Sequence, residues 1–260
     1  MIPTSMRESW QAAAQSGVGV AIQQAAARTG VDFGYLLGQA KIESGFDPNA
    51  RARTSSATGL YQFIDQTWLA TVKQHGDKHG LGWAADAIKQ GSNGRYHVSD
   101  PAARRAVLDM RRDPEAASAM AAEFAADNQN YLENSLGRPV ESVDLYLAHF
   151  LGAGGAQKFL SAHDANPDAP AASILPAAAR ANRSIFYDRG GAPRSFAEIR
   201  ERFAAKLGGS APLPPPADRS VPAAEVPPVQ YALMTESKPV TGPTPQYARL
   251  AYLMLAQLGG

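Results

Sequence analysis

Phe33-Gly-Tyr-Leu-Leu-Gly-Gln-Ala-Lys-Ile-Glu-Ser-Gly-Phe-Asp-Pro48 is the stretch on which the reading of this chain turns. Phe33, Leu36, Leu37 and Ala40 recur at the spacing of an apolar helix face, which predicts an amphipathic helix over 32–44. At about 100° of rotation per residue, Glu43, seven positions after Leu36, falls about 20° from it around the axis. The carboxyl is thereby set at the edge of the buried stripe, in the helix's last turn. Apolar surroundings and the negative end of the helix both disfavour a charged carboxylate. That is the setting in which a carboxyl serves as a general acid near neutral pH. A solvated terminal glutamate is the bland alternative, and this helix alone leaves both open.

Around this segment, from Trp10 to about Leu207, the pattern is helical and rich in Ala and Leu. Asp100-Pro101 and Asp113-Pro114 each set an N-cap acid before a proline at the first helical position. Ser195-Phe-Ala-Glu198 reads as a capping box, and Gly208-Gly209 as the stop of the helix that follows. The helices are expected near 8–28, 32–44, 64–76, 101–112, 114–133, 142–151, 155–163, 173–182 and 195–207. Strand-like alternation is scarce, so the fold class is mainly α.

Composition narrows the function. The 260 residues carry 25 Lys and Arg against 24 Asp and Glu, a net charge of +1. No field steers a polyanion, which argues against nucleic acid as a partner. A hydrophobic content of 45% excludes wholesale disorder. With no cysteine, disulfides, thiol nucleophiles, iron–sulfur clusters and thiolate zinc sites are excluded. Ten of the 19 prolines lie between Pro212 and Pro245. This crowding predicts one domain over 1–207, an extended linker over 208–245 and a short C-terminal helix over 246–260. In that last segment Tyr247, Leu250, Met254 and Leu258 share helical spacing. It either folds back or docks on a partner protein or membrane surface, and it is too short to span a bilayer. No basic start followed by an apolar run marks a signal peptide, and no 18-residue apolar stretch occurs.

Beyond the Glu43 helix a polar loop from Asn49 enters Gly59-Leu60-Tyr61-Gln62 and then Thr67-Trp68. Glu43-Ser44, the polar loop, this Gly-Leu-Tyr-Gln run and the following Thr, in that order and spacing, resemble the soluble lytic transglycosylase family, which is related to goose-type lysozyme. The family's third residue of the run is Met, here Tyr61. Leu145-Tyr-Leu-Ala-His-Phe-Leu-Gly-Ala-Gly-Gly155 stands where the family has Ala-Tyr-Asn-Ala-Gly. Ala148 and Gly152 agree with it, and His149 and Phe150 replace Tyr and Asn. The resemblance covers roughly residues 30–190.

The resemblance implies a lysozyme-like helical catalytic domain with a groove for a glycan of alternating N-acetylglucosamine and N-acetylmuramic acid. It implies a peptidoglycan lytic transglycosylase with Glu43 as its only acid and base, no cofactor and no metal. Ser44, Gly59, Tyr61, Gln62, Tyr146 and His149 are then the substrate-binding residues, and either His149 or Tyr146 orients the Glu43 carboxyl. Gly59 would let backbone approach the sugar without a Cβ. Gln62 would offer a donor and an acceptor to an acetamido or hydroxyl group, and Tyr61 would lay its ring along the sugar or fill the core. Arg51 and Arg53 would meet substrate carboxylates or stay solvated. The substrate places the action in the periplasm or cell envelope, with the export route left open.

Two alternatives accompany this reading. Glu123, among apolar residues in Met120-Ala-Ala-Glu-Phe-Ala-Ala-Asp-Asn128, would be a water-activating second carboxylate if it faced the groove, making the protein a muramidase; Asn128 would bind sugar there. Alternatively the domain is a catalytically weak cell-wall-binding module, recruited to an envelope-spanning machine through the Pro-rich arm and tail. His75 and His79 share an i,i+4 face, but no acid follows them at metal-site spacing.

Overall fold

A computed structural model describes residues 16–207. The expected linker over 208–245, the helix over 246–260, the Gly208-Gly209 stop and the first turns of the helix expected from residue 8 lie outside the described residues. The chain divides into two compact units, one ending at Ala126 and one beginning at Asp127.

In the first unit, α1 (Gly17–Thr29) begins at Ser16, whose hydroxyl accepts the Gly19 N–H. It ends at Gly30, in the left-handed region at φ 73°. Only two residues separate it from Asp32, whose Oδ1 accepts the Tyr35 N–H at 2.7 Å and starts α2 (Phe33–Ser44). The two helices pack together. Gly45, at φ 63°, closes α2 with its N–H on the carbonyls of Ala40 and Lys41. Phe46 follows at φ 70°, with the Lys41 ammonium 5.4 Å from its ring centroid.

The chain then folds over itself through the isolated bridges Arg51–Thr58 and Thr58–Phe63 before entering α3 (Asp65–His75). A 3₁₀ turn (Gly76–His79) leads to α4 (Gly82–Ala87). Next come the antiparallel strands β1 (Ile88–Gln90) and β2 (Tyr96–Val98), in register Ile88–Val98, Lys89–His97 and Gln90–Tyr96. α5 (Pro101–Asp109) and a second 3₁₀ turn (Met110–Arg112) precede α6 (Pro114–Leu136), which belongs to this unit as far as Ala126. The core gathers Ile22, Leu36, Leu60, Trp68, Val72, Ile88, Val107 and Met120, all fully buried. The Trp68 indole donates to the Val107 carbonyl at 2.7 Å, so its one polar atom is satisfied inside.

α4 and the hairpin are absent from the sequence expectation. Three-residue strands are too short to display alternation, and α4 has fewer than two turns. The Asn93-Gly94 dipeptide was the available hairpin signal: Gly94 sits at φ 75°, and Gly91 N–H closes the turn on the Arg95 carbonyl at 2.9 Å.

The second unit takes α6 from Asp127 and continues with α7 (Ser142–Leu151), α8 (Ala153–Ala165), a 3₁₀ turn (Ala171–Ser173), α9 (Pro176–Ala181), α10 (Arg183–Phe186) and α11 (Phe196–Lys206). The helix expected over 173–182 is thus shortened to α9, started by Pro176 at its first position and preceded by a separate 3₁₀ turn that ends at Ser173. The caps predicted at Asp100, Asp113 and Ser195 are all formed. A second capping box, Glu141 with Asp144, starts α7. α7 packs against α8 and α11, with Phe150 and Phe203 rings 5.0 Å apart and Phe159 and Phe196 4.9 Å apart.

Asp144 is fully buried and held by two arginines, Arg138 at 3.1 Å and Arg200 at 3.0 Å. Arg138 also reaches Asp164, and Arg200 reaches Glu141, so the carboxylate anchors a network and not an isolated pair. Removing the carboxylate leaves two guanidiniums short of a partner and the α7 cap broken. We expect Asp144→Ala to lower the unfolding free energy by about 3 kcal/mol. Asp144→Asn, which keeps an acceptor for the Glu141 N–H, should lose less. Urea unfolding of the two variants against the parent checks both.

Candidate active site

Glu43 occupies the last turn of α2 and is 8% exposed. The same helix face carries Tyr35 and Gln39 at successive four-residue steps, each 3% exposed. A buried stripe of three polar side chains therefore ends at the carboxyl, inside a helix that is otherwise apolar on its packed side. Burial, followed by the nearby charges of Glu43 and Tyr61, pushes the Tyr35 phenol above its ordinary range. This stripe escaped the sequence reading, although the spacing of residues 35, 39 and 43 was available to find it.

Ser44 joins this helix end to the next segment. Its hydroxyl lies 3.1 Å from the Ala40 carbonyl, as a helical serine often does, and 2.9 Å from the carbonyl of Leu60. The second contact ties the residue beside Glu43 to the middle of the Gly59–Gln62 run. Ser44 was expected to hydrogen-bond at the helix end and to reach the glycan; its observed partners are these two backbone carbonyls.

The run itself is a tight turn in the interior. Gly59 N–H donates to the Ala50 carbonyl at 2.8 Å, and Gln62 N–H to the Gly59 carbonyl at 3.1 Å. Gly59 is at φ 83°, and a Cβ added there would meet the carbonyl oxygen of Arg111 at 1.8 Å. Glycine is therefore required here, and the close neighbour along the Cβ direction is the Arg111 backbone. For Tyr61, of the two roles expected, burial fits the core-filling one. At 2% exposure its ring has no face to offer a sugar and belongs to the core. Burial pushes its phenol up, with the Ser118 hydroxyl pulling the other way. Gln62, 5% exposed, directs its amide nitrogen to the carbonyls of Gly59 at 2.8 Å and Ala50 at 3.1 Å. These two bonds offset its left-handed backbone at φ 49°. The donor expected to reach substrate is thus committed to the turn. Arg51 and Arg53 are exposed in the loop before it.

Arg111 went unnoticed in the sequence and is central here. It is 7% exposed; its Nε donates to the Leu108 carbonyl at 2.8 Å. One Nη reaches the carbonyls of Ser56 at 2.8 Å and Phe63 at 2.9 Å and the Asp65 carboxylate at 2.9 Å. Burial draws the guanidinium below its ordinary value, and Asp65 opposes that. Asp65 is shared with Arg104 at 2.9 Å. No motif distinguishes Arg111 from Arg112 beside it, which pairs with Asp109 on the surface.

Glu123 is buried too, but its carboxylate is engaged. His79 Nε2 stands 2.8 Å from Oε1, His75 Nδ1 3.1 Å from Oε2, and the Lys78 ammonium 3.5 Å from Oε2. The i,i+4 histidine face noted in the sequence therefore finds a glutamate, and Lys78, 3.2 Å from His75 Nδ1, occupies the ground a cation would need. Among the described residues no cluster of His, Asp and Glu is arranged to hold a metal ion.

The remaining expected residues lie in the second unit. Tyr146 and His149, on α7, stack with ring centroids 6.0 Å apart and planes 13° from parallel. Tyr146, 6% exposed, also meets the Phe203 ring at 5.5 Å. Asn128 is 5% exposed. Gly152, at φ 74°, turns the chain from α7 into α8.

A family model described as the transglycosylase SLT domain matches residues 20–158.

The Gly59 geometry gives a direct prediction. Gly59→Ala must leave the left-handed region or push the Arg111 backbone away, at a cost of about 3 kcal/mol. Thermal unfolding should show a clear fall in midpoint; an unchanged midpoint would mean that the turn is not held against Arg111.

Proposed function

Because the chain belongs to the transglycosylase SLT domain family, we propose that it is a peptidoglycan lytic transglycosylase in which Glu43 alone serves as acid and base. Family membership carries the coarse statement, a transglycosylase-type action on peptidoglycan. The observation that supports the assignment to Glu43 is its burial at the end of α2, joined through Ser44 to the Gly59–Gln62 turn.

In the proposed reaction, the Glu43 carboxylic acid gives its proton to the glycosidic oxygen between N-acetylmuramic acid and N-acetylglucosamine. The bond from that oxygen to the anomeric carbon breaks, and the 2-acetamido oxygen of the muramic residue stabilises the positive charge left behind. Glu43, now a carboxylate, takes the proton of the 6-hydroxyl, and O6 bonds to the anomeric carbon to close a 1,6-anhydro ring. The proton count returns to its start and no water is consumed. A 6-hydroxyl held on the same sugar has a high effective molarity, which is why one carboxyl suffices.

The hydrolytic alternative needs a second carboxylate to activate water. Glu123 was its candidate, and its engagement by His75, His79 and Lys78 favours the single-carboxyl reading. Ser44, Gly59, Tyr61 and Gln62 are assigned to building the turn beside Glu43, which is how their contacts bear on substrate. His149 or Tyr146 is carried over from the resemblance as the group that orients the acid, and His149→Ala against Tyr146→Phe separates the two. We place the action in the periplasm or cell envelope, where this polymer lies. Among the described residues no helix is long and apolar enough to cross a membrane. The catalytic portion is taken as residues 1–207, with 208–245 as linker and 246–260 as the segment that docks on envelope machinery.

Digestion of isolated sacculi followed by mass spectrometry tests the reading. The parent protein should release muropeptides ending in the anhydro sugar, one water lighter than hydrolytic products. Glu43→Gln should cut their formation on the order of a hundredfold to ten-thousandfold. Reducing-end products alone would make the protein a muramidase, and clearing that survives Glu43→Gln would remove Glu43 from its role. Glu123→Gln should keep turnover while lowering stability by about 1–3 kcal/mol, since two imidazoles lose a charged acceptor.

A further inference from the structure

We propose that Arg111 is a positioning residue for Glu43, acting through the turn at residues 59–62 and the Ser44 hydroxyl. The inference rests on the reading of Glu43 as the acid and base.

Three observations make the route continuous. The guanidinium grips both ends of the loop, at Ser56 on one side and at Phe63 and Asp65 on the other. The Arg111 carbonyl occupies the space a Cβ on Gly59 would take, so the same residue also sets the height of the turn from the opposite side. The Leu60 carbonyl in that turn then accepts the hydroxyl of Ser44, the residue next to Glu43. The region is compact enough for Glu43 and Tyr61 both to act on the Tyr35 phenol. A displacement of the turn therefore changes what surrounds the carboxyl.

The residue type fits positioning better than simple anchoring. Burying a guanidinium is costly, and replacing a buried ion pair by apolar residues of similar volume is often neutral or stabilising. What the planar fork adds is direction. Nε fixed on Leu108 and Nη fixed on the loop set both the distance and the angle between the 3₁₀ turn and residues 56–63. An acid that must meet the glycosidic oxygen and then the 6-hydroxyl tolerates little error. A misplacement of about 1 Å is worth on the order of a hundredfold in rate.

The test compares Arg111→Lys, Ser44→Ala and the double variant on isolated glycan strands, at a temperature where each is folded by circular dichroism. Arg111→Lys keeps the charge but not the fork. It should lower kcat on the order of tenfold to a hundredfold and leave KM within about threefold, because the substrate-binding surface is unchanged. Ser44→Ala should also lower kcat, and the double variant should be no worse than Arg111→Lys alone, since both cut one route. A kcat within about twofold of the parent, or a double loss equal to the product of the single losses, overturns the inference. If Arg111→Lys does not fold, Ser44→Ala decides by the same kcat criterion.

A second readout does not depend on turnover. In protein carrying carbon-13 at glutamate carboxyls, the Glu43 resonance should move in Arg111→Lys while that of Glu123, held by its histidines, stays. A stationary Glu43 resonance in a folded variant overturns the positioning role. Activity that persists in Glu43→Gln instead defeats the reading of Glu43, with the resonance still reporting on the geometry.

Discussion

A guanidinium placed in the interior is the constraint around which the first unit is arranged. Arg111 cannot shed its charge, so folding must bring it acceptors, and it takes them from the Asp65 carboxylate and from the backbone carbonyls of Leu108, Ser56 and Phe63. The irregular loop over 51–63 thus replaces the solvation the buried cation has lost. The same carbonyls also accept from Thr58, its N–H at Phe63 and its hydroxyl at Ser56, so cation and loop share acceptors. The end of α2 is joined to this arrangement, because the loop that Arg111 completes is the one that Ser44 touches.

The two buried glutamates of this unit illustrate how neighbours decide a carboxyl's fate. Glu43 and Glu123 are equally exposed, at 8%. Glu123 lies among three nitrogens and is locked into place as an ion-pair partner. Glu43 lies near the phenol of Tyr35. Burial alone does not separate them; the identity of the surrounding groups does.

What could be read from the sequence was what local chemistry controls. The caps at Asp100, Asp113 and Ser195 each act within three residues of themselves and are visible as words in the sequence. Rotation about one helix set Glu43 at the edge of the buried stripe and left open whether it was solvated; the structure buries it. The packing of the Gly59–Gln62 turn was not legible in this way, because it lies against Arg111, which reaches Ser56 across 55 positions of sequence. Gln62 looked available to a ligand, and its amide nitrogen is held instead by the carbonyls of Gly59 and Ala50. His75 and His79 were legible as a pair, but the glutamate they hold lies on another helix, beyond any motif.

The chain reversal just after Glu43 has a consequence for anyone who would engineer this protein. Phe46 holds a left-handed backbone that a large side chain adopts only under strain, eased by the Lys41 ammonium near its ring. Glycine or asparagine would adopt the same conformation with less strain, by about 1 kcal/mol. A screen for heat resistance would therefore favour replacing Phe46. Such a gain would be taken three residues from the buried Glu43 carboxyl, so the helix end that carries it would be altered along with the stability.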